Sequence, residues 1–226
     1  MKIVIAGGSG HVGSVLLRHF KADQNQVTVL SRRAEPIEGV HGVGWDGRSL
    51  GAWAEAVSGA DAVVNLAGHS VDCRYSEANL ADILNSRVNS TRVLGDAIAA
   101  AKEPPPVWLQ ASTATIYAHR YDAPNDEFTG ILGGEEPDAP RKWLASINVA
   151  KAWETALDES PTPKTRKVAM RSAMVMSIDR GSVFDVLAGL TRRGLGGRLG
   201  NGKQFVSWVH ELDFARAVEF LIARED

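Results

Sequence analysis

Apolar residues along this chain fall into two alternating kinds of run. Short β-branched blocks end at glycine or a polar residue, and longer stretches follow in which apolar positions return every three or four residues. Lys2–Ala6 is the first block and predicts a buried strand. His11–Ala22 then carries Val12, Val15, Leu16 and Phe20 at helical spacing. Val27–Leu30 predicts a second strand, Val40–Trp45 a third weakened by Gly42 and Gly44, Leu50–Val57 a short helix, and Asp61–Leu66 a fourth strand. Glu77–Ala101 predicts a long helix with Leu80, Leu84, Val88, Leu94 and Ile98 on its apolar side, stopped by Pro104–Pro106. Val107–Ala111 and Lys167–Met170 read as strands around a helix at Lys142–Glu159, which Pro161 and Pro163 close. A helix at Val183–Arg193, a short extended piece at Val206–Val209 and a last helix at Glu211–Ala223 complete the pattern. Strands alternating with helices predict an α/β domain with a doubly wound parallel sheet, its faces both covered, in a single unit over residues 1–226. Ala118–Pro140 and Gly194–Lys203 lack periodicity; long irregular loops in a compact domain are often functional.

Composition narrows the partners. A net charge of −2 gives no basic field for nucleic acid or a membrane surface. No apolar run approaches the roughly 20 residues of a membrane span, and the N-terminal apolar stretch is broken too early for a signal peptide. Cys73 is the only cysteine, so no internal disulfide forms, in keeping with a reducing, cytoplasmic setting; a lone cysteine is usually a small buried hydrophobe.

The chemistry begins at the first strand's end. Gly7, Gly10 and Gly13 lie between that strand and the first helix, with Ser9, His11 and Val12 among them. Glycine permits a tight turn and close backbone approach to a pyrophosphate, and the helix start offers unpaired N–H donors and a positive dipole end. This predicts a Rossmann-type dinucleotide site. NAD-selective folds place a carboxylate near the end of the second strand; here Ser31-Arg32-Arg33 stands there, without an acid. Arginine grips a 2′-phosphate that a carboxylate would repel, so NADP(H) is expected over NAD(H), through Ser31 and Arg32 with Arg33 assisting. After the fourth strand, Leu66, Ala67 and Gly68 are small enough, in sequence, for backbone to pass beside the cofactor's ribose.

The G-x-x-G-x-x-G spacing, Asn65-Leu66-Ala67-Gly68, Ser86-Arg87-Val88-Asn89-Ser90-Thr91, Lys151-Ala152-Trp153-Glu154 and the Gly194–His210 tract together resemble the short-chain dehydrogenase/reductase superfamily, in its extended or atypical epimerase-like branch. The resemblance covers nearly the whole chain. It implies a hydrogen bond between Asp46 and the adenine, and an aromatic residue where His11 stands. It also implies a substrate region built from 118–140 and 172–210, with Gln204, Trp208 and His210 as polar and aromatic contacts. Members of the branch continue some tens of residues past the helix that here ends at Asp226.

That superfamily's catalytic apparatus is a Ser or Thr after the fifth strand, a Tyr-x-x-x-Lys on the next helix and an Asn on the preceding one. The resemblance assigns these roles to Thr113, with Ser112 as the adjacent alternative, to Lys151 and to Asn89. Ile147 occupies the tyrosine position. Lys151 is expected to hold the nicotinamide ribose; Tyr117, Tyr121 and His210 are weaker stand-ins for the missing phenol. Two functions stay open. One is an NADP(H)-dependent oxidoreductase or epimerase acting on a small hydroxy or carbonyl compound or a nucleotide sugar. The other is a protein that senses redox state by holding NADP(H) without turnover. A flavin or another nucleotide in the same cleft is a weaker third reading, and a homodimer is left open.

Overall fold

The computed structural model describes residues 1–33, 39–137, 140–198 and 200–224. Six parallel strands form the main sheet: β1 (Lys2–Ala6), β2 (Gln26–Ser31), β3 (His41–Gly44), β4 (Ala62–Asn65), β5 (Val107–Ala111) and β6 (Arg166–Met170). Their order across the sheet is β3-β2-β1-β4-β5-β6, so the chain winds outward from β1 in one direction, then from β4 in the other. Ligands in such sheets bind where the winding reverses, beyond the strands' carboxyl ends.

Strand alternation explains the two cores. Ile3, Ile5, Val27, Val29, Val64 and Leu109 face one side and pack with Val15, Leu16 and Phe20 of α1 (His11–Ala22) and Phe214 and Val218 of α5 (Glu211–Ala223). Val4, Ala6, Leu30, Val63 and Trp108 face the other and meet Val93, Leu94 and Ile98 of α2 (Glu77–Ala100) and Leu157 of α3 (Arg141–Asp158). One polar pair is buried within this sheet: the Asn65 amide donates to Gln110 Oε1 at 3.0 Å. Asn65 Oδ1 also accepts the Ala67 N–H at 3.0 Å, so this asparagine shapes the β4 turn.

The weak third strand exists, as an edge pairing Thr28–Ser31 with His41–Gly44, and the 50–57 segment is a 3₁₀ turn at Ala52–Ala56. A second, two-stranded parallel sheet joins β7 (Met174–Met176) to β8 (Trp208–His210). α4 (Val183–Arg192) follows β7 as a helix whose residues all stay outside the buried core. No described helix is long and apolar enough to cross a membrane.

Candidate functional site

The glycine loop is tied into the sheet by the Gly7 N–H, which donates to the Leu30 carbonyl at 2.8 Å. Gly7 has φ +76°, and a Cβ there would lie 2.8 Å from the Ala67 backbone. A Cβ on Gly13 would lie 2.3 Å from the Gly8 carbonyl oxygen. Two of the three glycines are thus demanded by the fold itself. Gly10 is different: its nearest obstacle is the Gly7 carbonyl oxygen at 3.5 Å, an ordinary contact. Gly10 caps α1 without a side-chain hydrogen bond, the first turn holds no acid, and the first helical bond runs from the Ser14 N–H to Gly10. The amides of His11, Val12 and Gly13 therefore stand at an open, positive helix end.

The expected 2′-phosphate and adenine contacts follow the carboxyl ends of β2 and β3. Ser31 ends β2 and its hydroxyl donates to the Arg33 carbonyl. Arg32 and Arg33 are exposed. Asp46 follows β3 and organises its own turn, accepting the Arg48 and Ser49 N–H groups at 2.8 and 3.0 Å and the Ser49 hydroxyl. The Ser49 hydroxyl, with these amides, brings its carboxyl down to about 2. Ser9 is exposed, while Val12 and Leu66 reach a smaller cleft of about 340 Å³. His11 leans toward β7, its Nε2 3.4 Å from the Val175 carbonyl oxygen.

Two clefts meet at the carboxyl ends of β5 and β6. The larger, about 1700 Å³, takes in much of 118–127, Glu136 and Phe205–Ser207. Ser112, Thr113, Thr115, Met170 and Ser172 line both clefts. Thr113 is engaged locally: its hydroxyl donates to Thr115 Oγ1 at 3.0 Å and accepts the Thr115 N–H at 3.2 Å. The Ser112 hydroxyl donates to Glu154 Oε1 at 2.5 Å. Arg171 grips the same carboxylate with Nε at 2.9 Å and Nη2 at 2.7 Å, and its Nη1 donates to the Tyr117 phenol at 3.1 Å. Burial pushes the Glu154 carboxyl up, but the Arg171 guanidinium and the Ser112 hydroxyl outweigh it and hold the group below its ordinary value.

On α3, the residues that line the smaller cleft are Ala145, Ser146, Val149, Ala150 and Trp153. This face repeats every three and four residues, and it sits one residue back from Ile147 and Lys151. Ile147 is buried and its Cδ1 lies 2.9 Å from where a Gly133 Cβ would be; Lys151 Nζ lies 3.4 Å from the equivalent point on Gly134. Lys151 and Asn89 are outside the lining of both clefts. Arg87, two residues before Asn89 and so on another face of α2, lines the smaller cleft instead.

Gln204, Trp208 and His210 also lie outside that lining. Trp208 is 61% exposed, and His210 Nδ1 accepts the Leu212 N–H at 3.2 Å, capping α5. The cleft-facing part of that tract is Phe205–Ser207. Cys73 is free and half-buried in the loop after β4.

Residues 3–226 match the profile of the NAD dependent epimerase/dehydratase family. This chain belongs to that family. A bovine epimerase family protein, SDR39U1, is 31% identical over 218 residues, covering 95% of this epimerase/dehydratase-family chain and 68% of the bovine protein. The human epimerase family protein SDR39U1 (isoform 2), solved with NADPH, superposes with a TM-score of 0.83 at 29% identity, covering 100% of this chain and 71% of the human one. MoeE5, solved with UDP-glucuronic acid and NAD, shares the fold at a TM-score of 0.77 and 20% identity, covering 100% of this chain and 73% of its own.

Sequence reasoning left Tyr75, Arg87, Ser146 and the Glu154–Arg171 pair of this epimerase/dehydratase-family chain without a role. The available signal was a charged residue at core-facing helical register: Glu154 beside buried Trp153, and Arg87 between buried Ile83 and Thr91. A charge placed there needs a partner or a cleft.

Proposed function

We propose that this protein is an NADP(H)-dependent oxidoreductase or epimerase-type enzyme acting on a small hydroxy or carbonyl compound. Gly10 carries this reading. Gly7 and Gly13 answer to the protein's own packing, but the space over Gly10, at an acid-free helix start, is what the close approach of a pyrophosphate requires. Bound NADP(H) would supply or accept a hydride. The residues present fit it: Gly7–Gly13 for the pyrophosphate, Ser31 and Arg32 for the 2′-phosphate, and Val12, Leu66, Ser112 and Thr113 around the nicotinamide. The human relative's NADPH supports the phosphorylated form, whereas MoeE5 holds NAD. The substrate region is assigned to 118–140 and 172–210, which supply most of the larger cleft's described lining.

Calorimetric titration with NADPH and NADH tests the assignment. NADPH is expected to bind at least about tenfold tighter, from one charge-assisted hydrogen bond worth about 1.5–3 kcal/mol. Equal or tighter NADH binding would refute the preference. A second reading, a protein that holds NADP(H) without turnover, is favoured by the buried Ile147 and by Lys151 lying against Gly134. Tight NADPH binding without oxidation of the cofactor by any carbonyl compound would select it.

A further inference from the structure

The chain has three tyrosines, and two are otherwise placed. The Tyr117 phenol accepts from Arg171 and lies under its guanidinium, 5.1 Å from ring centroid to Cζ. Tyr121 is 62% exposed at the larger cleft, edge-on to His119 and tilted against Phe205 with ring centroids 4.9 and 5.8 Å away. Tyr75 is the one tyrosine that lines the smaller cleft, together with Val12, Leu66, Thr113 and Ser146. Its hydroxyl has no hydrogen-bond partner among the described residues.

Arg87 lines the same cleft. Its Nη1 donates to the His69 and Ile83 carbonyls at 3.1 and 3.0 Å, and its Cζ sits 5.0 Å from the Trp153 ring centroid. A Cβ on Gly68 would lie 3.1 Å from that Cζ, so the glycine lets the guanidinium tuck beneath the loop after β4. No carboxylate pairs with it among the described residues. Burial lowers its hold on a proton and Tyr75 works the other way; the two side chains line the same cleft.

We propose that Tyr75 is the catalytic proton donor and acceptor of the site, in place of the tyrosine absent at Ile147, and that Arg87 is its electrostatic partner. The proposal rests on the NADP(H) reading and deepens it. In carbonyl reduction, bound NADPH would supply the hydride for the new C–H bond. The C=O π pair moves onto oxygen, which takes the phenolic proton as the Tyr75 O–H bond breaks. Arg87 stabilises the phenolate, and water in the open cleft returns the proton. Alcohol oxidation runs the same steps backward, with the substrate proton arriving on Tyr75.

The test uses the whole chain. NADPH oxidation is followed with benzaldehyde, cyclohexanone and 2,3-butanedione for the wild type, Tyr75→Phe, Arg87→Lys and Arg87→Met. In parallel, ¹⁹F NMR of the 3-fluorotyrosine-labelled protein reads the tyrosines directly, with Tyr75→Phe assigning its resonance. Expected are a loss of about 10²–10⁴ in kcat for Tyr75→Phe at unchanged NADPH affinity, and a smaller loss for Arg87→Lys than for Arg87→Met. The Tyr75 resonance should move on adding NADP⁺ and again in Arg87→Lys. Retained activity in Tyr75→Phe, no turnover by an NADPH-binding wild type, or a Tyr75 resonance indifferent to NADP⁺ and to Arg87→Lys would overturn the proposal alone. Absence of NADPH binding would remove the cofactor reading as well.

Discussion

Gly13 is packed against Gly8 so closely that a Cβ on it would lie 2.3 Å from the Gly8 carbonyl oxygen. Gly10, three residues earlier, has no such neighbour. Gly13 is therefore required by the packing of α1 on the preceding turn, whereas packing leaves Gly10 free, and substitution separates the two. Gly13→Ala should destabilise by about 1–3 kcal/mol or more, because backbone on both sides must shift. Gly10→Ala should stay within about 1 kcal/mol of wild type in urea denaturation yet lose most NADPH affinity. A Gly10→Ala protein that binds NADPH normally would show that the pyrophosphate lies elsewhere.

Arg32 sets the second expectation. It is exposed beyond β2, next to a serine whose hydroxyl is turned to the backbone of Arg33. Arg32→Ala should weaken NADPH binding about tenfold to a hundredfold while leaving NADH little changed. Arg32→Glu should reverse the preference, since a carboxylate repels the 2′-phosphate and accepts from the ribose hydroxyls. Titration of both nucleotides against each variant reads this directly.

Restoring a tyrosine at Ile147 should not restore chemistry. Ile147 is 3% exposed, packs on Gly133 and Gly134 and borders the larger cleft, one residue along α3 from the face that lines the smaller cleft. Ile147→Tyr overfills this site, with an expected cost of about 1–3 kcal/mol in a denaturation midpoint and no gain in NADPH oxidation. A rise in turnover would mean that α3 presents a different face to the cofactor.

Trp153 anchors α3 to α2. Its indole N–H donates to Thr91 Oγ1 at 3.0 Å, and both side chains are buried. Thr91→Val keeps the shape and removes the acceptor. The stranded N–H should cost about 1–3 kcal/mol in equilibrium unfolding. Because Arg87 lies over the same indole ring, loosening Trp153 should also lower any activity that depends on Arg87.

The sheet and its glycine loop were legible because their signals are local. The bounds of β1, β5, α1 and α5 follow from apolar blocks and helical spacing, and the glycines sit within seven residues of one another. β7 escaped because three residues are too few for a period, and its partner β8 lies more than thirty positions later. Trp208, an apparent wall or core residue by type, is exposed on that small sheet, and α4 is amphipathic with its apolar side in the open. The Ser112–Glu154–Arg171 cluster joins the ends of β5 and β6 with the C-terminal third of α3, and only strand order brings those together. Which residues of α3 meet which cleft was not legible for a related reason. Four-residue spacing finds a helical face, but which face meets the sheet is decided by the packing of Ala150, Trp153 and Leu157.

The same cluster sets an acid-side expectation. Glu154 is held below its ordinary 4.5 by Arg171 and Ser112 against the opposing effect of burial. A depressed folded value means that the unfolded chain binds protons more readily near that pH. The stabilisation is therefore fully present above 4.5 and is lost as pH falls through the lower folded value. Glu154→Gln keeps the shape but loses the charge that Arg171 grips twice, so it should be less stable than wild type by about 1.5–3 kcal/mol at neutral pH. Asp46, Asp122 and Asp179 are also held low, so both proteins weaken in acid, and the informative quantity is the difference between them. Urea unfolding from neutral to acid pH should show that difference shrinking once the medium drops below 4.5. A gap that stays constant would mean that the carboxylate's charge contributes nothing and that the cluster is held by packing alone.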